Sequence, residues 1–413
     1  MGWGVVAASR AKILGTAVLL DDPRWCTSTI VDVCSEARRM TGGPRPRTAS
    51  NVAAAICTSM WKRTTHTLVF MYDDAERMHP QRDVLHAKRY RPMTAEKEAA
   101  ERAKGRVIIQ GSAYARGSEP YTDAEARSFT ANSKIVWPRL WATTVGKACA
   151  FALVRKACIV WHQLNTDDES ERVFVSWHRG KPTAYPYDSQ RARDVAKACC
   201  SNTFGEADGK VAEAVKVLAP HGPVIIQTID TDMILQVLAS RTAHEWPTVH
   251  LRLLNETVAL HTFVAARGGD SYERRLTATF WLLACNGVDY CRGLTRFGFN
   301  VDALAESASA SPALFSVNDG EASFDAAAAM GVLCSLKRRR VKNRTWSEFN
   351  GEVSDMLFCL SLFSGAEPTK EPWGGPACAA LVVCNLPGDE PFDSATLASS
   401  ATHATMVVIG VGK

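Results

Sequence analysis

Short apolar runs that stop at acidic residues recur from the amino terminus to the middle of the chain. Thr16-Ala-Val-Leu-Leu20 leads to Asp21, and Thr67-Leu-Val-Phe-Met-Tyr72 leads to Asp73 and Asp74. Val224–Ile229 leads to Asp230, and Trp281–Val288 leads to Asp289, although this last run is also compatible with a helix. Bounded apolar runs of this length read as buried strands. Helix-like segments lie between them at Cys26–Met40, Ala49–Lys62 and Ala207–Leu218. Strands alternating with helices predict an α/β fold with a mostly parallel sheet. Ligands bind such sheets outside the carboxyl ends of the strands, so aspartates placed there would converge on one site.

The stretch 92–200 interrupts the alternation and reads as an insertion. Within it, Thr94–Gly105 is charged and strongly helical, Gly111–Tyr121 is a Gly/Ser-rich turn, and Trp137–His162 is an aromatic, basic helical segment. The acidic loop Asp167–Glu171 follows, then Val173–Trp177 as a strand and Gly180–Tyr187 as a proline-containing loop. Ser307-Ala-Ser-Ala-Ser-Pro-Ala313 has the composition of a connector. The predicted organisation is therefore 1–91 and 201–306 as two parts of one core, 92–200 as the insertion, and 307–413 as a carboxyl-terminal extension of mixed helix and loop.

Composition narrows this only slightly. The chain has 413 residues, enough for one elaborated domain or two, and 46% are hydrophobic, ample for a core. A formal net charge of +5 is weak support for a polyanionic partner, so the distribution of charge matters more than its sum. Basic residues cluster at His86–Arg91 and at Lys337–Arg344, as solvated helix faces or as phosphate-binding patches. Thirteen cysteines without a C-x-x-C pair read as reduced, buried thiols of an intracellular protein. Neither a signal peptide nor a membrane span is indicated, and no membrane partner is expected.

The most specific chemistry sits at Asp230 and Asp232. Residues two apart on an extended segment point the same way, so the pair presents two carboxylates side by side. Such like charges raise each other's pKa unless a cation lies between them. Oxygen ligands without nearby His or Cys favour Mg²⁺ or Mn²⁺. An aspartate-rich turn is the plainer reading of an isolated Asp-x-Asp. Glu206 and Asp208 open the helix-like segment at 207–218, where acids also suit the helix dipole.

In chain order the carboxylates Asp21, Asp73, Glu206, Asp208, Asp230, Asp232 and Asp289 resemble those of the flap endonuclease, or XPG-type structure-specific 5′-nuclease, family. Met1-Gly-Trp-Gly, with Gly2, resembles the family's amino terminus, and Leu19-Leu-Asp21 its first strand end. Phe70–Asp74 and Ala87-Lys-Arg89 resemble the second strand end and the helix after it. Gly205-Glu-Ala-Asp208, Thr228–Ile234 and Leu282–Leu294, which includes Gly293, resemble the remaining motifs. The sequence departs from the family in keeping one glycine, Gly298, of the hairpin that grips duplex DNA, in its longer insertion, and in lacking a sliding-clamp motif. This divergence points to a large DNA virus as the source, and so to the nucleus or cytoplasm of a host cell.

The resemblance implies a PIN-like fold with a central sheet flanked by helices, a large insertion and a helical carboxyl-terminal part. It implies a Mg²⁺-dependent endonuclease or 5′-exonuclease acting on branched or 5′-ended DNA in replication, repair or recombination. Two Mg²⁺ ions, with Mn²⁺ able to substitute, would be held by Asp21, Asp73, Glu206 and Asp208 on one side and Asp230, Asp232 and Asp289 on the other. Lys88 and Arg89 would face the scissile phosphate, with Arg89 the better bidentate partner and Arg82 a weaker candidate for a second basic residue on the same helix. Trp25 would stack on a base or pack in the core. Lys337, Arg338, Arg339 and Arg340 would contact duplex phosphates or serve as a localisation signal. An endoribonuclease on the same fold, cutting RNA, and an inactive nucleic-acid-binding protein are the alternatives.

Overall fold

The structure is a computed structural model. It describes residues 26–73, 93–109, 111–165, 172–178, 181–186, 190–198, 207–228, 248–253 and 256–265, a few further positions up to 279, and two strands between 315 and 324. The chain forms two compact units, one of Pro23–Ile229 and one of Met1–Asp22 with Asp230–Lys413.

In the Pro23–Ile229 unit, strand β1 (Cys26–Asp32) passes directly into helix α1 (Val33–Thr41), and helix α2 (Ala49–Trp61) returns the chain to β2 (Thr64–Met71). Next come α3 (Ala95–Ala103), the short hairpin β3 (Val107–Ile109) and β4 (Ser112–Tyr114), α4 (Asp123–Ser128), α5 (Trp137–Leu140) and the long α6 (Thr144–Asn165). β5 (Val173–His178), β6 (Lys181–Tyr185), α7 (Gln190–Ala198), α8 (Ala207–Leu218) and β7 (Val224–Thr228) complete the unit.

Its strands lie in the order β6-β5-β2-β1-β7. β1 runs parallel to β2 and to β7, β2 runs parallel to β5, and in this row of five β6 alone is antiparallel to its neighbour. The α/β class with a mostly parallel sheet is therefore as the alternation predicts. β1 is central, so its residues Ile30 and Val31 are fully buried, as are Val69 and Phe70 on β2. Such continuous apolar strands are what a parallel sheet covered on both faces requires. α2 buries Ala49, Val52, Ala53, Ile56, Cys57 and Met60, a helical spacing that turns one stripe to the core. α6 presents Ala150, Val154, Ala157 and Cys158 to the same cluster. Phe70 and Phe174 meet edge to face at 5.1 Å across β2 and β5; each buried phenyl contributes roughly 1.5–3 kcal/mol.

Two expectations are corrected here. Cys26–Met40 is not one helix, because β-branched Thr29, Ile30 and Val31 pair with strands on both sides and the helix begins only at Val33. Gly180–Tyr187 is not simply a loop, because Lys181–Tyr185 pairs with β5; Pro182 is tolerated there because β6 lies at the edge of the sheet. β5, β6 and α6 fall within 92–200, and Arg155 on α6 donates to Thr183 Oγ1 on β6 at 3.1 Å. Runs 16–20 and 281–288 lie outside the described residues.

In the other unit, β8 (Val249–Leu253) and β9 (Glu256–Ala259) form an antiparallel hairpin followed by α9 (Leu260–Ala265). β10 (Phe315–Asn318) and β11 (Glu321–Phe324) form a second hairpin in the region read as helix and loop. Among the described residues no helix is long and apolar enough to cross a membrane. Cys34, Cys57 and Cys158 are free thiols.

Candidate functional site

The carboxyl ends of β2, β1 and β7 lie side by side, with Asp32 opposite Met71 and Val31 opposite Gln227. Asp32 is the last residue of β1 and the N-cap of α1, and it is 6% exposed. Its Oδ1 accepts the Ser35 N–H at 3.0 Å, while Thr228 Oγ1, at the end of β7, donates to Oδ2 at 3.4 Å. The helix start thus orients the carboxylate and stabilises its charge.

Asp73 stands two residues beyond β2. Its N–H donates to Cys34 Sγ at 3.2 Å, and its Oδ1 accepts the N–H of Ala207, the first residue of α8, at 3.0 Å. One carboxylate therefore holds the start of the helix whose next residue is Asp208. Burial pushes the Cys34 thiol well above its ordinary range, and the negative charges of Asp73 and then Asp32 push it further. Both carboxylates act on this one thiol.

Glu36, one turn along α1, is fully buried. Its Oε1 accepts Gln227 Nε2 at 2.8 Å, and its Oε2 accepts Arg39 Nε at 2.9 Å and Nη2 at 2.7 Å. A buried carboxylate is tolerated only when paired and hydrogen-bonded in this way. Gln227 and Thr228, the last two residues of β7, are bonded to Glu36 on α1 and to its N-cap Asp32. The end of β7 is thereby fixed immediately before Ile229 and Asp230.

Of the residues singled out in the sequence, Asp73 is described in full and Asp208 is placed on the first turn of α8. Gly2, Asp21, Trp25, Arg82, Lys88, Arg89, Glu206, Asp230, Asp232, Asp289, Gly293, Gly298, Lys337, Arg338, Arg339 and Arg340 lie outside the described residues. Sequence reasoning missed Asp32 and Glu36. A signal was present: Thr27-Ser-Thr-Ile-Val31 is as β-prone as Thr16–Leu20, ends in an aspartate, and runs into an amphipathic helix.

Asp32 and Asp73 are hard oxygen donors, and no hydrogen bond occupies Asp73 Oδ2 among the described residues. That chemistry fits Mg²⁺ or Mn²⁺ rather than a soft metal. Two carboxylates alone do not make a site, and the described residues contain no group of three His, Cys, Asp or Glu arranged to hold an ion. Further acids are needed to complete one.

The sequence matches no protein-family profile and no curated protein. A search of solved structures finds a likeness to a bacteriophage T5 flap endonuclease, in a pseudo-enzyme-product complex with DNA and metal ions. The two are 11% identical, with a TM-score of 0.35, over 92% of this chain and 98% of that one.

Proposed function

We propose that the chain is a metal-dependent nuclease that hydrolyses phosphodiester bonds at the carboxyl end of its parallel sheet. The observation that carries this is the pair Asp32 and Asp73, held at the ends of adjacent parallel strands around one thiol. The order of acids along the sequence supports it, with Asp32 taking the place first read for Asp21. Asp32, Asp73, Glu206 and Asp208 would hold one divalent ion, and Asp230, Asp232 and Asp289 a second. Bound ions would supply Lewis acidity for hydrolysis.

The chain's own residues do the rest. Asp32 and Asp73 supply negative charge in a fixed place, because their helix-start hydrogen bonds prevent rotation. Glu36 holds Gln227 and so the strand leading to Asp230. Lys88 and Arg89 would neutralise charge developing on the scissile phosphate, Arg89 through its planar fork. The substrate in this reading is branched or 5′-ended DNA.

The test compares Asp32→Asn, Asp73→Asn and Asp21→Asn on a labelled 5′-flap DNA and on single-stranded RNA, with Mg²⁺, with Mn²⁺ and with EDTA. Asp32→Asn and Asp73→Asn are expected to lower cleavage at least a hundredfold and to weaken Mn²⁺ binding measured by electron paramagnetic resonance. Asp21→Asn is expected to stay within a fewfold of the parent. Cleavage of RNA alone would move the substrate to RNA, and wild-type cleavage by both strand-end variants would remove these acids from the chemistry.

A further inference from the structure

The cations of the Pro23–Ile229 unit are very unevenly spread. Six Lys or Arg and no acid lie between Glu36 and Asp73, and again six and none between Glu125 and Asp167. The fold brings parts of these two segments together. Arg47 and Ile135 exchange two backbone hydrogen bonds of 3.0 Å each. Trp137 Nε1 donates to the Arg47 carbonyl at 3.0 Å, and Trp141 Nε1 donates to Thr41 Oγ1 at 2.9 Å. The Arg38 guanidinium lies 5.7 Å from the centre of the Trp141 ring.

One surface results, with Arg38, Arg45, Arg47 and Lys134 all exposed. None of these four has an acidic partner among the described residues. Their neighbour Arg39 differs, since Glu36 neutralises it at 2.7 Å. The surface ends at Arg139, whose guanidinium sits 4.1 Å from the Tyr121 ring centre and whose charge acts on Glu125. Unpaired like charges repel one another, which destabilises the fold unless a polyanion covers them.

The surface lies at the same end of the sheet as the acids. α2 joins β2 through Lys62 and Arg63 alone, and Thr64 Oγ1 donates to the Met60 carbonyl at 2.9 Å, so α2 runs opposite to β2. Its amino end, beside Arg47, therefore lies towards the carboxyl ends of the strands. Arg38 follows Asp32 by six residues on α1, a rise of about 9 Å along a helix.

We propose that Arg38, Arg45, Arg47 and Lys134 form a track for the phosphodiester backbone of a nucleic-acid strand leading to Asp32 and Asp73. This rests on the nuclease reading above. Guanidinium groups match phosphate oxygens in pairs. A lipid surface fits less well, because the exposed large apolar residues among those described, Val160 and Leu164, lie on α6 rather than here.

The experiment measures binding by fluorescence anisotropy in EDTA, so that no cleavage contributes, using labelled duplex DNA, RNA of the same sequence and phosphatidylserine vesicles. The variant Arg38→Ala with Arg45→Ala, Arg47→Ala and Lys134→Ala is expected to make the slope of log affinity against log salt shallower by about 3–4 on duplex DNA. It should bind at least tenfold more weakly at low salt. Replacing the three arginines by lysine should leave the slope within about one, and neither variant should melt below the parent because the side chains are exposed. In parallel, Asp32→Asn should lose cleavage and keep binding. An unchanged slope in the alanine variant would overturn the track even where Asp32 remains essential. Loss of vesicle binding with unchanged nucleic-acid binding would also overturn it. Wild-type cleavage by Asp32→Asn would instead overturn the nuclease reading.

Discussion

His162 is 1% exposed, with the rings of Phe174 at 4.5 Å, Trp61 at 5.0 Å and Tyr185 at 5.6 Å. Burial pushes its pKa from 6.5 down to about 4. The unfolded chain therefore binds a proton near pH 6.5 that the folded chain refuses until about pH 4. Stability from this residue is complete above the unfolded pKa and is lost as pH falls towards the folded one, by about 3 kcal/mol in all. Urea unfolding at pH 7 and pH 4.5 is expected to show that loss, and His162→Phe to reduce it. At this scale the sequence was readable where an acid follows a strong apolar run, as at Asp73. Asp32 was hidden behind a segment mistaken for helix. Glu36 was invisible, since an acid on a helix looks solvated until its contact with Gln227, far away in the chain, is known.

Among the elements, α8 begins and ends where the sequence placed it, because Ala207–Leu218 has helical periodicity and Pro220 and Gly222 follow it. β6 was missed because its proline argues against a strand unless the edge position is known. The hairpin of β10 and β11 had a readable signal, Asp319-Gly320 between its two strands, that was passed over. The junction of α5 and α6 depends on Gly146, where a Cβ would clash with the Leu140 carbonyl oxygen. Alanine would normally gain up to about 1 kcal/mol in a helix. Here the clash is with backbone and wins, so Gly146→Ala is expected to destabilise by about 1–3 kcal/mol, measured by denaturant unfolding.

At the scale of the molecule, the formal charge of +5 concealed the important distribution, two separate segments that carry cations and no acids. Sequence order alone could not pair those segments, because the bridge between Arg47 and Ile135 joins residues far apart in the chain. The same distance effect hides how 92–200 meets the sheet, to which it supplies two strands and a packed helix. The parallel class was legible because it follows from alternation, whereas strand neighbours depend on long-range pairing.

Asp73 joins two parts of the chain as well as offering charge, since its carboxylate holds the start of α8. Asparagine keeps an oxygen to accept the Ala207 N–H, and alanine keeps none. Asp73→Ala is therefore expected to unfold about 0.5–2 kcal/mol more easily than Asp73→Asn, with equal loss of cleavage in both. Melting of the two variants, read beside their cleavage rates, separates fastener from reagent. A neutral mutation at this position has two ways to fail, so drift here is screened by folding before chemistry is ever tried.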